Sequence, residues 1–302
     1  MVDTYSDFSL LRSLRQTRYL MARPFDQDAQ LYRTWVEGCE RRLAAALGGE
    51  VSGRSILEVG PGQGMERAQY FGRNNTVTAI DLDEIAEGFD VGAYWRMFRA
   101  NGLGRVSKTI ARNLLIAPRQ RRAWAEEIGG GPLQAPRRER GDFCDPEAVA
   151  ELTGFGNFDA VVSWSVFEHL PDPRAAVENV VAALRPGGAF LLSIHNYTAN
   201  DGHHDIRAFT GGIDDLPPWG HLRESTRDQI RPSAYLNELR IADWQSLFDE
   251  LTPGATVYLD QVDHAAKFEH LLVGEVSDEL EGYSREELLT VNLVATWRKS
   301  DN

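Results

Sequence analysis

Apolar residues follow two rhythms along this 302-residue chain. Through the first 50 residues Tyr32, Trp35, Val36, Cys39 and Leu43 recur at spacings of three and four, which predicts helix. From residue 54 onward, short apolar runs alternate with helical stretches. RSILEV (54–59), NTVTAIDLDE (75–84), FDAVVSWSVF (158–167), AFLLSIHNY (189–197), ATVYLDQVD and LLTVNLVATWRK read as strands. MERAQYF opens a helix, DFCDPEAVAELTG (142–154) is a strand end and a short helix, and IADWQSLFDEL is a helix. PDPRAAVENVVAALRPGG reads as a helix with a proline-rich start, an inner face of Val177, Val180, Val181 and Leu184, and a stop at Gly187-Gly188. Residues 88–140 predict Arg-rich helices broken by the GGGP run at 129–132, and 198–240 predicts loop. Alternating strands and helices predict an α/β fold with a doubly wound, mostly parallel sheet. The length fits one domain with insertions better than two domains. Residues 1–50 then form an N-terminal helical segment, and 51–302 the main domain. That domain carries an Arg-rich helical insertion at about 86–140 and a loop at about 198–240 that caps the substrate.

Composition narrows the class. Hydrophobic content of 42% and charged content of 25% are those of an ordinary soluble enzyme. No run reaches the ~18 apolar residues of a membrane span, and MVDTYSDFSLLRSLRQTRY has no apolar signal region. Cys39 and Cys144 alone make neither a disulfide framework nor a CxxC site. These features point to a cytoplasmic protein without a membrane span. The net charge of −13 argues against a nucleic-acid partner. The charge is uneven, though: Arg96 to Arg140 holds eleven basic residues against three glutamates, a local +8 that leaves −21 for the rest.

Chemistry starts at ILEVGPGQGMERAQYF (56–71), where a strand ends in a glycine-rich turn before a helix. Such a turn brings backbone close to a ligand at the carboxyl end of a sheet. The dinucleotide pattern G-x-G-x-x-G would put its third glycine at Met65, and no Gly-Lys-Ser/Thr triplet marks a phosphate loop. The spacing is instead E-x-G-x-G-x-G from Glu58, which points away from a phosphate-bearing ligand.

In this motif the chain resembles the class I S-adenosylmethionine-dependent methyltransferases, from about residue 54 to 197, with a weaker match over the last 60 residues. Glu58, Gly60, Pro61, Gly62 and Gly64 match the family's first motif. Asp81, about twenty residues on, matches the acid that accepts hydrogen bonds from both ribose hydroxyls, with Leu82 beside it. Asp142 and Phe143 match the pair that contacts adenine. FDAVVSWSVFEHLPDP, with Ser163, matches the fourth-strand motif, and LRPGGAFLLS the fifth. The resemblance implies a Rossmann-like, seven-stranded sheet with S-adenosyl-L-methionine as cofactor and S-adenosyl-L-homocysteine as product. Its relatives of this type belong to bacterial glycan or secondary-metabolite pathways.

The reacting face in this fold lies above the ends of strands four and five. Candidates for catalysis there are His195, which leaves the fifth strand and titrates near neutrality, and the Glu168-His169 pair. In some quinone-pathway relatives similar residues hold a metal; the plainer reading is that the pair caps the next helix and orients the loop. Trp164, Asn196, Tyr197, Trp219, His221, Arg223 and Tyr235 are the candidates for substrate contact. His203, His204, Asp205 and His221 are metal-ligand types, but adjacent histidines without HxxxH spacing predict no metal site. The basic insertion either favours a small, anionic acceptor or pairs its arginines with the acidic remainder of the chain, and a homodimer is compatible with the sequence. The expected reaction is methyl transfer to oxygen or nitrogen. The alternative is a methyltransferase-fold protein that binds the nucleoside as a partner subunit or for elimination or cyclisation.

Overall fold

The structure, a computed structural model, describes residues 22–301 apart from 63, 83–115, 130–135, 209 and 211. Most of the expected Arg-rich insertion and the first 21 residues lie outside the described residues. Seven strands form one sheet in the order β3-β2-β1-β4-β5-β7-β6. They are β1 (Ser55–Val59), β2 (Thr76–Asp81), β3 (Arg137–Arg140), β4 (Phe158–Trp164), β5 (Leu184–His195), β6 (Thr256–Asp260) and β7 (Asn292–Arg298). β1 pairs parallel with β2 from Ser55↔Thr76 to Val59↔Ile80, and β2 parallel with β3 from Thr78↔Arg137. β6 and β7 pair antiparallel, Thr256 opposite Thr296. The order reverses beside β1, and ligands of doubly wound sheets bind at that switch point, past the strands' carboxyl ends.

The chain packs as two compact units. Of the described residues, one contains those within 22–162, 179–190 and 298–301; the other contains those within 163–178 and 191–297. In the first, helix α1 (Phe25–Leu47) buries Ala29, Val36, Cys39, Leu43 and Leu47, one stripe at helical spacing. Helices α2 (Glu66–Gly72), α3 (Ala117–Glu127) and α4 (Pro146–Thr153) follow in the chain. Tyr32 of α1 meets Trp124 of α3 edge-on, ring centroids 5.2 Å apart, and Arg33 donates to the Glu127 carbonyl at 2.8 Å. Asp145 caps α4 by accepting from the Glu147 and Ala148 amides. Buried Asp159 of β4 accepts from the Ser55 amide at 2.8 Å and pairs with Arg54 and Arg185. That bond ties the start of β1 to β4.

Three departures from the expected elements have physical reasons. The residues Arg137–Arg140, expected within the helical insertion, form β3. They sit on an edge strand that needs no apolar alternation, and charge there discourages strand addition. Helix α5 (Pro173–Ala183) stops before Gly187-Gly188. Pro186 disfavours helical backbone at Arg185, and Lys299 Nζ donates to the last carbonyls, Val181 at 2.8 Å and Leu184 at 2.7 Å. Between β6 and β7 the chain adds short helices α7 (Val262–Phe268), α8 (Glu275–Glu279) and α9 (Arg285–Leu289). In the second unit, α6 (Ile241–Leu251) buries Ile241, Trp244 and Phe248, while Trp219, Leu222, Phe268, Leu280, Leu288 and Leu289 form one apolar cluster.

Candidate active site

The glycine turn follows directly from β1. Gly60 and Gly62 both take φ +66°, a left-handed backbone that favours glycine. The Gly60 amide donates to the Ile80 carbonyl at 2.8 Å, and the Gly62 amide to an Asp81 carboxylate oxygen at 3.3 Å. In phosphate loops such an amide faces the anion; here a carboxylate of the chain already faces it. The Gly141 amide donates to the Asp81 carbonyl at 3.1 Å, which sets Asp142 beside the turn's acid. Asp142 accepts from the Cys144 amide at 2.9 Å. Phe143 is buried, whereas Leu82 is 65% exposed, so Leu82 is the open apolar surface next to Asp81. Pro61 is buried and Gly64 half-buried.

Beneath the turn lies Glu58, 1% exposed. Arg67 Nε donates to its Oε1 at 3.1 Å, and Arg67 also donates to the Tyr32 hydroxyl at 2.6 Å. Glu58 Oε2 has no hydrogen-bond partner among the described residues. Burial pushes this carboxyl up to about 7 despite the opposing guanidinium. Sequence reasoning placed Glu58 and gave no sign of Arg67.

The other unit gathers a second polar set from three segments. β4 ends in buried Ser163 and Trp164, and a turn at Phe167–His169 follows. Asn237 pins that turn: its side chain donates to the Phe167 carbonyl at 2.7 Å and its amide to the Glu168 carbonyl at 2.9 Å. Glu168 is 3% exposed, and neither carboxylate oxygen has a side-chain hydrogen-bond partner among the described residues. His195 ends β5 with both ring nitrogens against protein groups. Nδ1 lies 2.7 Å from His204 Nε2, and Nε2 lies 3.2 Å from Asp201 Oδ1. His204 holds φ +50°, strained for a residue with a Cβ. The Ser233 amide and hydroxyl fix its carbonyl at 3.0 and 2.6 Å. One ligand atom each from Glu168, His195 and His204 lies within 4.8 Å of the others. The sequence reading expected no such set; the chain turns at Asp201–His204, the His204 amide donating to the Asp201 carbonyl at 3.1 Å, and His204 meets His195. Asp201 and Asn237 carry no motif and become visible only in the fold.

The electrostatics of this set are those of buried groups. Burial pushes Glu168 up to about 7, with His195 opposing. Burial alone would lower His195, but Asp201 and Glu168 raise it above its ordinary value. Burial, helped by His195 and His169, drives His204 down to about 2. Burial also opposes the Asp201 charge, yet His195 holds this carboxyl well below the usual range. His169 lies just outside, with Nδ1 on the Tyr235 carbonyl at 2.8 Å and Nε2 4.0 Å from Glu168; burial lowers it.

The remaining substrate candidates fall elsewhere. Trp219 is fully buried in the apolar cluster and donates to the Leu288 carbonyl. Arg223 is 6% exposed and pairs with Glu279 at 2.6 Å. Asn196 donates to the Glu287 and Thr290 carbonyls, both at 2.8 Å. Tyr235 is exposed. Tyr197 and His221 line a cavity of about 340 Å³ together with Arg227, Glu238, Arg240 and Tyr283, and His221 Nε2 meets the Tyr197 carbonyl at 2.7 Å.

Comparison with known proteins adds the deciding observation: the methyltransferase-domain family matches residues 28–264. The chain belongs to that family. A ubiquinone biosynthesis O-methyltransferase of Alkalilimnicola ehrlichii is 27% identical over 154 residues, 51% of this chain and 46% of that protein. One from Xanthomonas campestris is 44% identical over 43 residues, 14% of this chain and 18% of that protein. The chain thus spans less than half the length of either relative. A solved S-adenosylmethionine-dependent methyltransferase from Mesorhizobium loti is 16% identical, with a TM-score of 0.44 over 87% of this chain and 100% of that one.

For a class I methyltransferase the cofactor is S-adenosylmethionine, and the residues present fit it. Asp81 offers a half-exposed carboxylate at the end of β2, the turn's backbone is left-handed and uncrowded at Gly62, and Leu82 supplies apolar surface. None of these groups favours a phosphate.

Proposed function

We propose that this chain moves the methyl group of S-adenosylmethionine to an oxygen or nitrogen of a small, anionic acceptor, with oxygen favoured by the names of its curated relatives. When bound, the cofactor supplies an electrophilic methyl on a sulfonium. The chain's own contribution is placement and handling of the acceptor's proton. Asp81 and the Gly60–Gly64 turn hold the nucleoside, with Asp142 and Leu82 at the base. Glu168, His195 and His204 form the set that readies the acceptor's heteroatom. His195 sits in the middle of the set with Asp201 and His204 against its two nitrogens, so the Glu168 carboxylate is the group that takes the acceptor's proton.

The observation that carries the reading is the Asp81 carboxylate on the Gly62 amide, which suits a hydroxyl-rich, phosphate-free ligand. A protein that merely binds the nucleoside would have no use for a buried carboxylate against two histidines. The local +8 of residues 96–140 supports an anionic acceptor, although Arg122 and Arg137 pair with Glu126 and Glu139. The test is incubation with methyl-labelled cofactor and a small-molecule extract, read by mass spectrometry. Label in an anionic small molecule supports the proposal. Cofactor left unconsumed, with no labelled product, overturns it.

A further inference from the structure

We propose that Glu168, His195 and His204 form a binding site for a divalent first-row transition-metal ion. Two imidazole nitrogens and one carboxylate are the ligand set of open, three-coordinate protein sites that leave positions for exogenous donors. Their ligand atoms already converge within 4.8 Å. An ion about 2.1 Å from each nitrogen would hold the two nitrogens about 3.4 Å apart in tetrahedral geometry. His195 Nδ1 and His204 Nε2 stand at 2.7 Å, so less than about 1 Å of relaxation suffices.

Three independent features point to an ion rather than to packing. First, a carboxylate 3% exposed has no side-chain hydrogen-bond partner among the described residues, only the Glu168 and His195 amides approaching it, and its charged form is costly there unless a cation compensates it. Second, His195 presents its other nitrogen to Asp201 at 3.2 Å. Metal-bound histidines are oriented in this way, through a carboxylate on the far ring nitrogen. Third, His204 keeps a left-handed backbone, φ +50°, clamped by Ser233. Strain of that kind persists where surrounding structure enforces a side-chain position. Two neutral imidazoles select zinc, cobalt, nickel or iron over magnesium and calcium, which prefer all-oxygen shells. The ion's remaining positions suit oxygen donors of an acceptor. That consequence rests on the methyltransferase reading, whereas the ion site itself does not.

The full chain, stripped with chelator, is titrated with cobalt(II) chloride and followed by visible absorption, with zinc and magnesium titrated by calorimetry. The expected result is one cobalt or zinc ion per chain, a ligand-field band in the visible, and at least tenfold weaker magnesium binding. Glu168→Gln and His204→Gln should each weaken cobalt binding by more than roughly 100-fold. Asp201→Asn should weaken it 10–100-fold, as for other groups that orient a ligand. Circular dichroism of each chelated variant must match the wild type; any variant that fails this is replaced by Glu168→Ala or His204→Ala. No cobalt or zinc binding by folded wild type, or unchanged affinity in Glu168→Gln and His204→Gln, overturns the site. Cofactor calorimetry on the same samples separates the outcomes: cofactor binding without metal defeats only this inference, and metal binding without cofactor defeats only the functional reading.

Discussion

Two buried glutamates, one in each unit, invite comparison. Glu58 and Glu168 are 1% and 3% exposed, and burial pushes both up to about 7. Glu58 has a guanidinium at 3.1 Å, while Glu168 faces histidines, with His169 Nε2 4.0 Å away. The first carboxylate has one oxygen in an ion pair with Arg67, beneath the glycine turn. The second is held by its backbone and left without a fixed cation. Equal burial therefore marks different jobs, and the partner, not the burial, tells them apart.

The comparison breaks most visibly at Arg67. Arg67→Met strands the Glu58 carboxylate and should cost about 3–5 kcal/mol in denaturant unfolding. Glu168→Gln, measured in chelator, should stay within about 1 kcal/mol of wild type, because no cation loses its partner. Similar losses from both substitutions would erase the distinction.

Titration sharpens it. The native state holds the Glu58 proton more tightly than the unfolded chain, so this contribution to stability is complete below the ordinary carboxyl value of 4.5 and is lost as pH rises through about 7. Arg67 and Glu66 of α2 are the charged groups that act on it, with the Ala68 amide. The loss should approach about 3 kcal/mol, and Glu58→Gln should flatten that part of the stability–pH curve. An unchanged slope in the variant would mean that Glu58 is not the group responsible.

The smallest effect expected is at the turn. A Cβ at Gly62 meets nothing within 4 Å, so Gly62→Ala should cost only the left-handed backbone, roughly 1–2 kcal/mol. A Cβ at Gly64 instead meets the Glu66 carboxylate, a flexible side chain that can swing away. A loss at Gly62 well beyond backbone strain would show that the turn is crowded after all.

The two regions also differ in how much of them the sequence disclosed. The turn is local: strand, glycines and helix are contiguous and Asp81 ends the next strand, so ordered motifs that resemble a known family were enough to place it. The Glu168–His195–His204 set comes from a turn after β4, the end of β5 and the loop beyond. Its meaning depends on Asp201, Asn237 and Ser233, which have no signature. Trp219, Arg223 and Asn196 looked like pocket residues by type, yet the fold spends them on packing, on Glu279 and on the carbonyls of Glu287 and Thr290. Arg137, Arg138 and Arg140 looked helical because an exposed edge strand has no apolar rhythm to betray it. Residues 83–115, the bulk of the basic insertion, lie outside the described residues.

Calorimetric titration of S-adenosylmethionine into wild type and Asp81→Ala tests the central claim most directly. The wild type should bind one equivalent with micromolar affinity. Asp81→Ala should lose about 2–3 kcal/mol, the worth of a charge-assisted pair of hydrogen bonds. No binding by the wild type, or equal binding by the two proteins, would contradict the account.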